Sequence, residues 1–125
     1  MKLGMVSIFV YNPIEAFKFY TEVLGFEEKM YMPEAHVAIV TAPDGPDGPL
    51  ILLEPTENPI AKNYHTQLYE ANIPCMVFSV ENIDGEYNRL KQKGVVFTKE
   101  PQKTEYGSEA IFDDTCGNLI QLHQL

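Results

Sequence analysis

Three histidines and two cysteines are the side chains of this 125-residue sequence most able to do chemistry. Cys75 offers a nucleophile or a metal ligand only as a thiolate, and no evident His, Asn or Asp partner stands near it in sequence, although a pairing in space with His123 stays open. Cys75 and Cys116 form no CxxC pair, so both read as free, buried or half-buried thiols in a reduced, cytoplasmic compartment. His65 lies beside an Ile60, Tyr64, Leu68 stripe and reads as a packing or solvent-facing residue. "GSEA" is not a nucleophile elbow. "DGPDG" has the composition of a calcium loop, but Pro46 and the missing distal Glu make it a hairpin connection. "GPDG" fits no phosphate loop.

The elements around these residues are legible from alternation and caps. "MVSIFV" at 5–10 reads as a strand with Met5, Ser7 and Phe9 on one face and Val6, Ile8 and Val10 on the other. The second face is aliphatic and suits packing under a helix; the first mixes a thioether, a hydroxyl and a ring. Next, Asn12 can cap a helix, Pro13 suits its first position, and Glu15 completes a capping box. Phe17, Tyr20 and Leu24 follow at helical spacing, and Gly25 is a left-handed stop. At 125 residues, 45% hydrophobic, the chain suits one domain with its own core. No apolar run reaches the roughly 18 residues of a membrane span, and "MKLGMVSIFV" does not read as a signal peptide. A net charge of −9 argues against nucleic acid and anionic membranes, and leaves neutral or cationic ligands as better partners.

The pattern then recurs. "CMVFSVENIDGEYNRLKQKGV" begins at Cys75 where the first copy has Met5, and Asn82 takes the place of Asn12. Ile83, Tyr87 and Leu90 form its helical stripe, and Gly94 closes it one residue early relative to Gly25. "HVAIVTAPDGPDGPLILLEP" and "SEAIFDDTCGNLIQLHQL" each read as strand, turn, strand, and "FEEKMYM" and "VVFTKE" supply one strand more apiece. The chain is α+β, β-α-β-β-β written twice, as modules 1–58 and 74–125 joined by a helical linker at 59–73. Helices are expected over 13–24, 61–71 and 83–93. One copy alone cannot bury its sheet, so helices should cover one face while the other lines a cavity.

Two βαβββ modules, "FYTEVLGF" closing the first helix and "FDDTCGNLIQL" near the end together resemble the vicinal oxygen chelate superfamily. That superfamily includes glyoxalase I, extradiol dioxygenases, fosfomycin-resistance enzymes and metal-free bleomycin-resistance proteins. The resemblance spans essentially the whole chain, and it implies a single glyoxalase-like domain over 1–125 and a homodimer. Its enzymes hold a divalent metal through His, Gln and Glu at the start of each module's first strand and in its last strand. Carried over, those positions are Met5, Leu52 (with a slip to Leu50 open), Cys75 and Gln121. None is an imidazole or a carboxylate, which such metals require. His123, two residues past Gln121, could enter the cavity, and His36 could too. A site rebuilt from Cys75, Gln121 and His123 would take two ligands from one strand.

The expected ligand pocket therefore carries Met5, Ser7, Phe9, Leu52, Cys75, Ser79, Gln121 and His123, with Val77 beside them. Its competitor is a filled core in which Ser7 and Ser79 bond to backbone. The expectation is a protein without cofactor or catalytic residues that binds a small organic molecule. The alternative is a metal-dependent lyase, isomerase or dioxygenase of the glyoxalase type with altered ligands.

Overall fold

The alternation in each strand becomes two four-stranded sheets, each covered on one face by a helix. The computed structural model describes residues 1–125. It divides into two compact units, Met1–His65 and Thr66–Leu125. In the first, β1 (Met5–Val10), α1 (Pro13–Lys18), β2 (Glu27–Met32), β3 (Val37–Thr41) and β4 (Leu50–Pro55) form a sheet of order β1-β4-β3-β2. Helix α2 (Pro59–Glu70) carries the chain onward. In the second unit, β5 (Met76–Ser79), α3 (Ile83–Gln92), β6 (Phe97–Thr104), β7 (Gly107–Asp113) and β8 (Leu119–Gln124) repeat that order as β5-β8-β7-β6. Each sheet is mixed. The edge pairs β1–β4 and β5–β8 run parallel, and the remaining pairs are antiparallel.

Ile8, Val10, Ala38, Val40, Ile51 and Leu53 turn toward α1 and are buried. In the second unit Ala110, Phe112, Ile120 and Leu122 are buried on the α3 side, and Tyr87 of α3 meets Phe97 edge-on with ring centroids 4.7 Å apart. These rows are the aliphatic halves of the alternating strands, as the hydrophobic effect requires of a sheet with one covered face.

The caps work as their residue types dictate. Asn12 accepts from the Ile14 N–H at 2.9 Å, and Asn82 from the Gly85 N–H at 3.1 Å. The second helix closes in a Schellman motif, with Val95 N–H on the Leu90 carbonyl, Gly94 N–H on that of Lys91, and Gly94 at φ +87°. The first helix departs from expectation. Its α-helical part ends at Lys18, and Phe19–Val23 continue as a π-helical turn in which Leu24 N–H reaches back to the Phe19 carbonyl. The physical reason is the extra residue of the first copy. A wider turn absorbs one insertion while keeping the stripe on the core and Gly25 at φ +84° for the stop. Helix α2 begins at Pro59 rather than 61, because Asn58 accepts from the Ile60 N–H at 2.8 Å. "NPI" at 58–60 thus repeats the cap of "NPI" at 12–14.

Candidate functional site

The uncovered faces of the two sheets differ in chemistry. In the first unit, β1 presents Met5, Ser7 and Phe9, and the parallel register sets Leu50, Leu52 and Glu54 of β4 opposite them. Across the sheet follow Ile39 of β3 and Met30 of β2, then Val37 and Met32. The face is apolar and rich in thioether. Met5, Met30 and Met32 are 44%, 48% and 42% exposed, and methionine adapts to irregular partners because its chain is flexible and its sulfur polarizable.

In the second unit the same rows are polar. Val77 lies opposite Gln121 and Ser79 opposite His123, while Glu109 and Ile111 of β7 follow across the sheet. Glu109 forms an ion pair with Lys99 of β6 through Oε1, and its Oε2 accepts a long hydrogen bond from Gln121 Nε2 at 3.4 Å. His123 Nε2 sits 3.0 Å from the Tyr106 carbonyl. That approach depends on Gly107 at φ +129°, where an added Cβ would fall 2.1 Å from the Gln124 carbonyl oxygen.

The β7–β8 turn holds this register. Asp114 is fully buried, and its Oδ1 accepts from the Cys116 and Asn118 N–H groups at 2.8 and 3.0 Å. Its Oδ2 accepts from Asn118 Nδ2 at 2.9 Å. Thr115 at φ +63° and Gly117 at φ +95° bend the chain around that carboxylate. Beside it, Tyr69 donates to Asp113 Oδ2 at 2.5 Å.

The eight residues expected to line a pocket fall on these faces. Met5, Ser7, Phe9 and Leu52 belong to the first unit; Cys75, Ser79, Gln121 and His123 belong to the second. Leu52 faces Ser7 just as Gln121 faces Val77, so the registers make Leu52, not Leu50, the counterpart of Gln121. Cys75 enters the ladder through its N–H on the Leu119 carbonyl. Burial, and secondarily the Asp114 charge, push its thiol up to about 12, so at neutral pH it is neither nucleophile nor anionic ligand. His123 is four residues along β8 from Leu119, about 13 Å at a strand's rise, so the pairing of Cys75 with His123 left open by the sequence is not made. His36 stands in the turn between β2 and β3 at φ +54°, off the sheet face. His65 is buried and packs edge-on against Tyr11, with ring centroids 5.0 Å apart. Reading the sequence missed Glu109 and Lys99. The signal was present, since alternation from Phe112 back through Ala110 leaves Ile111 and Glu109 on the opposite face.

Nowhere do three His, Cys, Asp or Glu side chains gather as a metal requires. The four positions to which the resemblance would assign a metal carry a thioether and an alkyl chain in the first unit, and a neutral thiol and a carboxamide already engaged with Glu109 in the second. None of these side chains suits a divalent cation of the kind bound by imidazole and carboxylate.

Sheet order, the repeated βαβββ unit and the open faces define a protein of the glyoxalase type, and comparison with known proteins makes the assignment specific. The chain belongs to the Glyoxalase/Bleomycin resistance protein/Dioxygenase superfamily, whose family model matches residues 2–122. It is 48% identical to the uncharacterized protein YurT of Bacillus subtilis (strain 168) over 99% of both chains. Among solved structures it is similar to UcmS2, with 32% identity, a TM-score of 0.83, and coverage of 100% of this chain and 98% of that one. It shares its fold with TnmS3, an antibiotic binding protein from Streptomyces sp. CB03234, at 23% identity and a TM-score of 0.78 over 99% of this chain and 95% of that one.

Proposed function

We propose that this protein binds a small organic molecule on its open sheet faces, without a metal and without metal-dependent glyoxalase or dioxygenase activity. The observation that carries the reading is the chemistry at Met5, Leu52, Cys75 and Gln121. Enzymes of this type polarise neighbouring oxygens with a Lewis-acid cation, and these four side chains supply no charge to hold one. The two faces supply instead what an organic ligand needs: in the first unit, apolar contact from Met5, Phe9 and Leu52 beside Ser7, and in the second, orienting polar groups at Ser79, Gln121 and His123. The antibiotic-binding neighbour and the family's bleomycin-resistance branch support that use of the fold. The acidic surface favours neutral or cationic ligands over anions or nucleic acid.

The working form is proposed to be a cytoplasmic homodimer. Its support is the exposed apolar face of the first sheet, which calls for a covering partner, together with two cysteines that form no disulfide. No helix is long and apolar enough to cross a membrane. Light scattering at micromolar concentration tests the dimer, and a clean monomer mass refutes it.

Thermal-shift titration with metal-free bleomycin and a metabolite panel tests the binding reading. A ligand at 100 times its Kd stabilises the fold by about 2.7 kcal/mol, a shift that Phe9→Ala and Gln121→Ala should each reduce. Turnover of a hemithioacetal or a catechol that a chelator abolishes overturns the reading in favour of a metal enzyme.

A further inference from the structure

The open face of the first sheet is apolar along most of its length, and one end of it carries an acid. Glu54 of β4 lies directly across the parallel ladder from Phe9 of β1, one strand spacing or about 4.8 Å away. Leu52 precedes it on the same face of β4, and Ile39 of β3 and Met30 of β2 continue the Leu52 row. Glu54 is half-buried and forms neither a hydrogen bond nor an ion pair. Drawing a carboxylate out of water is costly unless a partner offsets it, so its charge stands open to a ligand. The other acid on this face, Glu27, stands opposite Thr41, two strands away and at the other end of the sheet. Lys29 falls in the bulge of β2 at the far edge, and Lys18 lies on α1, which covers the opposite face. A carboxylate attracts a cation by charge, and an aromatic ring attracts one through its π face within about 6 Å. Both members of the Glu54–Phe9 pair therefore favour the same ligand group.

We infer that the open face of the first sheet takes organic cations, with an ammonium seated at Glu54 and Phe9 and its apolar or aromatic body on Leu52, Ile39 and Met30. The inference rests on the binding reading above and adds the class of ligand and the residue that selects it. An anion meets Glu54 as a like charge. A neutral body of the same shape strips water from the carboxylate and puts nothing in its place. Thioethers such as Met30 adapt to varied apolar shapes, so the face is strict about charge and tolerant about outline.

The test uses three aromatic probes of nearly equal size at neutral pH: 2-naphthylmethylamine as the cation, 2-naphthalenemethanol as the neutral form and 2-naphthoate as the anion. Amide NMR titration of the full chain reads where each binds and how tightly. The wild type should bind the amine about fivefold tighter than the alcohol, the value of a partly solvated ion pair, and the naphthoate least. Glu54→Gln keeps the shape, removes the charge and should bring amine and alcohol within about twofold of each other. Glu54→Lys should reverse the order and put the naphthoate ahead of the amine. Glu28→Gln removes one carboxylate from the α1 side of the same sheet, opposite buried Val40, and should keep the full preference. Wild-type protein that binds amine and alcohol equally overturns the inference and leaves the binding reading standing. So does a preference that survives Glu54→Gln or falls as far in Glu28→Gln, because overall charge is then its source. An amine still ahead of the naphthoate in Glu54→Lys overturns it as well, and so do probe shifts confined to β8. If no probe shifts any β1, β4 or β8 amide, the binding reading fails and this inference with it.

Discussion

Replacing Asp114 by alanine should unfold the protein well before any surface change does. The Asp114 carboxylate is fully buried and accepts three hydrogen bonds, two from backbone N–H groups and one from Asn118 Nδ2. Alanine leaves those donors without that acceptor inside a turn that bends through Thr115 and Gly117 at positive φ. Each buried donor so abandoned costs about 1–3 kcal/mol. Some are rescued by water, so the whole loss should be about 4 kcal/mol, or roughly 15 °C of melting temperature for a domain of this size. Urea unfolding followed by circular dichroism measures it. Asp114→Asn should cost about half as much, roughly 2 kcal/mol. It keeps an oxygen for the two backbone donors but turns an NH₂ toward the Asn118 amide. It also removes a charge that helps hold the Cys75 thiol up, so Cys75 should alkylate with a lower apparent pKa than in the wild type while staying above the usual cysteine value, because burial is the larger cause. A loss under about 1 kcal/mol in Asp114→Ala, or an unmoved Cys75 titration in Asp114→Asn, refutes this account of the turn.

Wild-type Cys75 should react sluggishly with iodoacetamide at pH 8, the pH profile of alkylation being the check. Burial holds its folded thiol up at about 12, so from the usual cysteine range upward the unfolded chain loses the proton first. Stability should therefore decline by about 1 kcal/mol per pH unit from 9 toward 12, a slope that Cys75→Ala should flatten in denaturant titrations. Gly107→Ala should lower stability by about 2–4 kcal/mol, because its Cβ would lie 2.1 Å from the Gln124 carbonyl oxygen at φ +129°; chemical denaturation against wild type measures it. Zinc, nickel, manganese or iron should leave the melting temperature unchanged. The combined Met5→His, Leu52→Glu, Cys75→His, Gln121→Glu protein should gain a metal-dependent rise, read by the same melts with and without chelator.

What could be read along the chain is what short-range physics controls. Asn12 and Asn82 cap, and Gly25 and Gly94 stop, through contacts within a few residues, so the repeated β-α-β-β-β order was visible before any coordinate. Strand alternation likewise put Met5, Ser7 and Phe9, or Gln121 and His123, on common faces. The overlooked "NPI" cap at Asn58 was local too, and the same rule would have found it. Other properties depended on which strands become neighbours. Glu109 orients Gln121 only because the buried Asp114 turn fixes the β7–β8 register and β6 brings Lys99 across. Cys75 is silenced by burial and by an aspartate 39 residues away in the chain. The extra residue before Gly25 showed as a change of length, but its accommodation as a π turn rather than a shifted stop was settled by packing, since Phe19 and Tyr20 had to stay in the core. Local hydrogen bonds act within a few residues and so can be read in order, whereas burial, charge and cross-strand register arise from segments that meet only once the chain has folded.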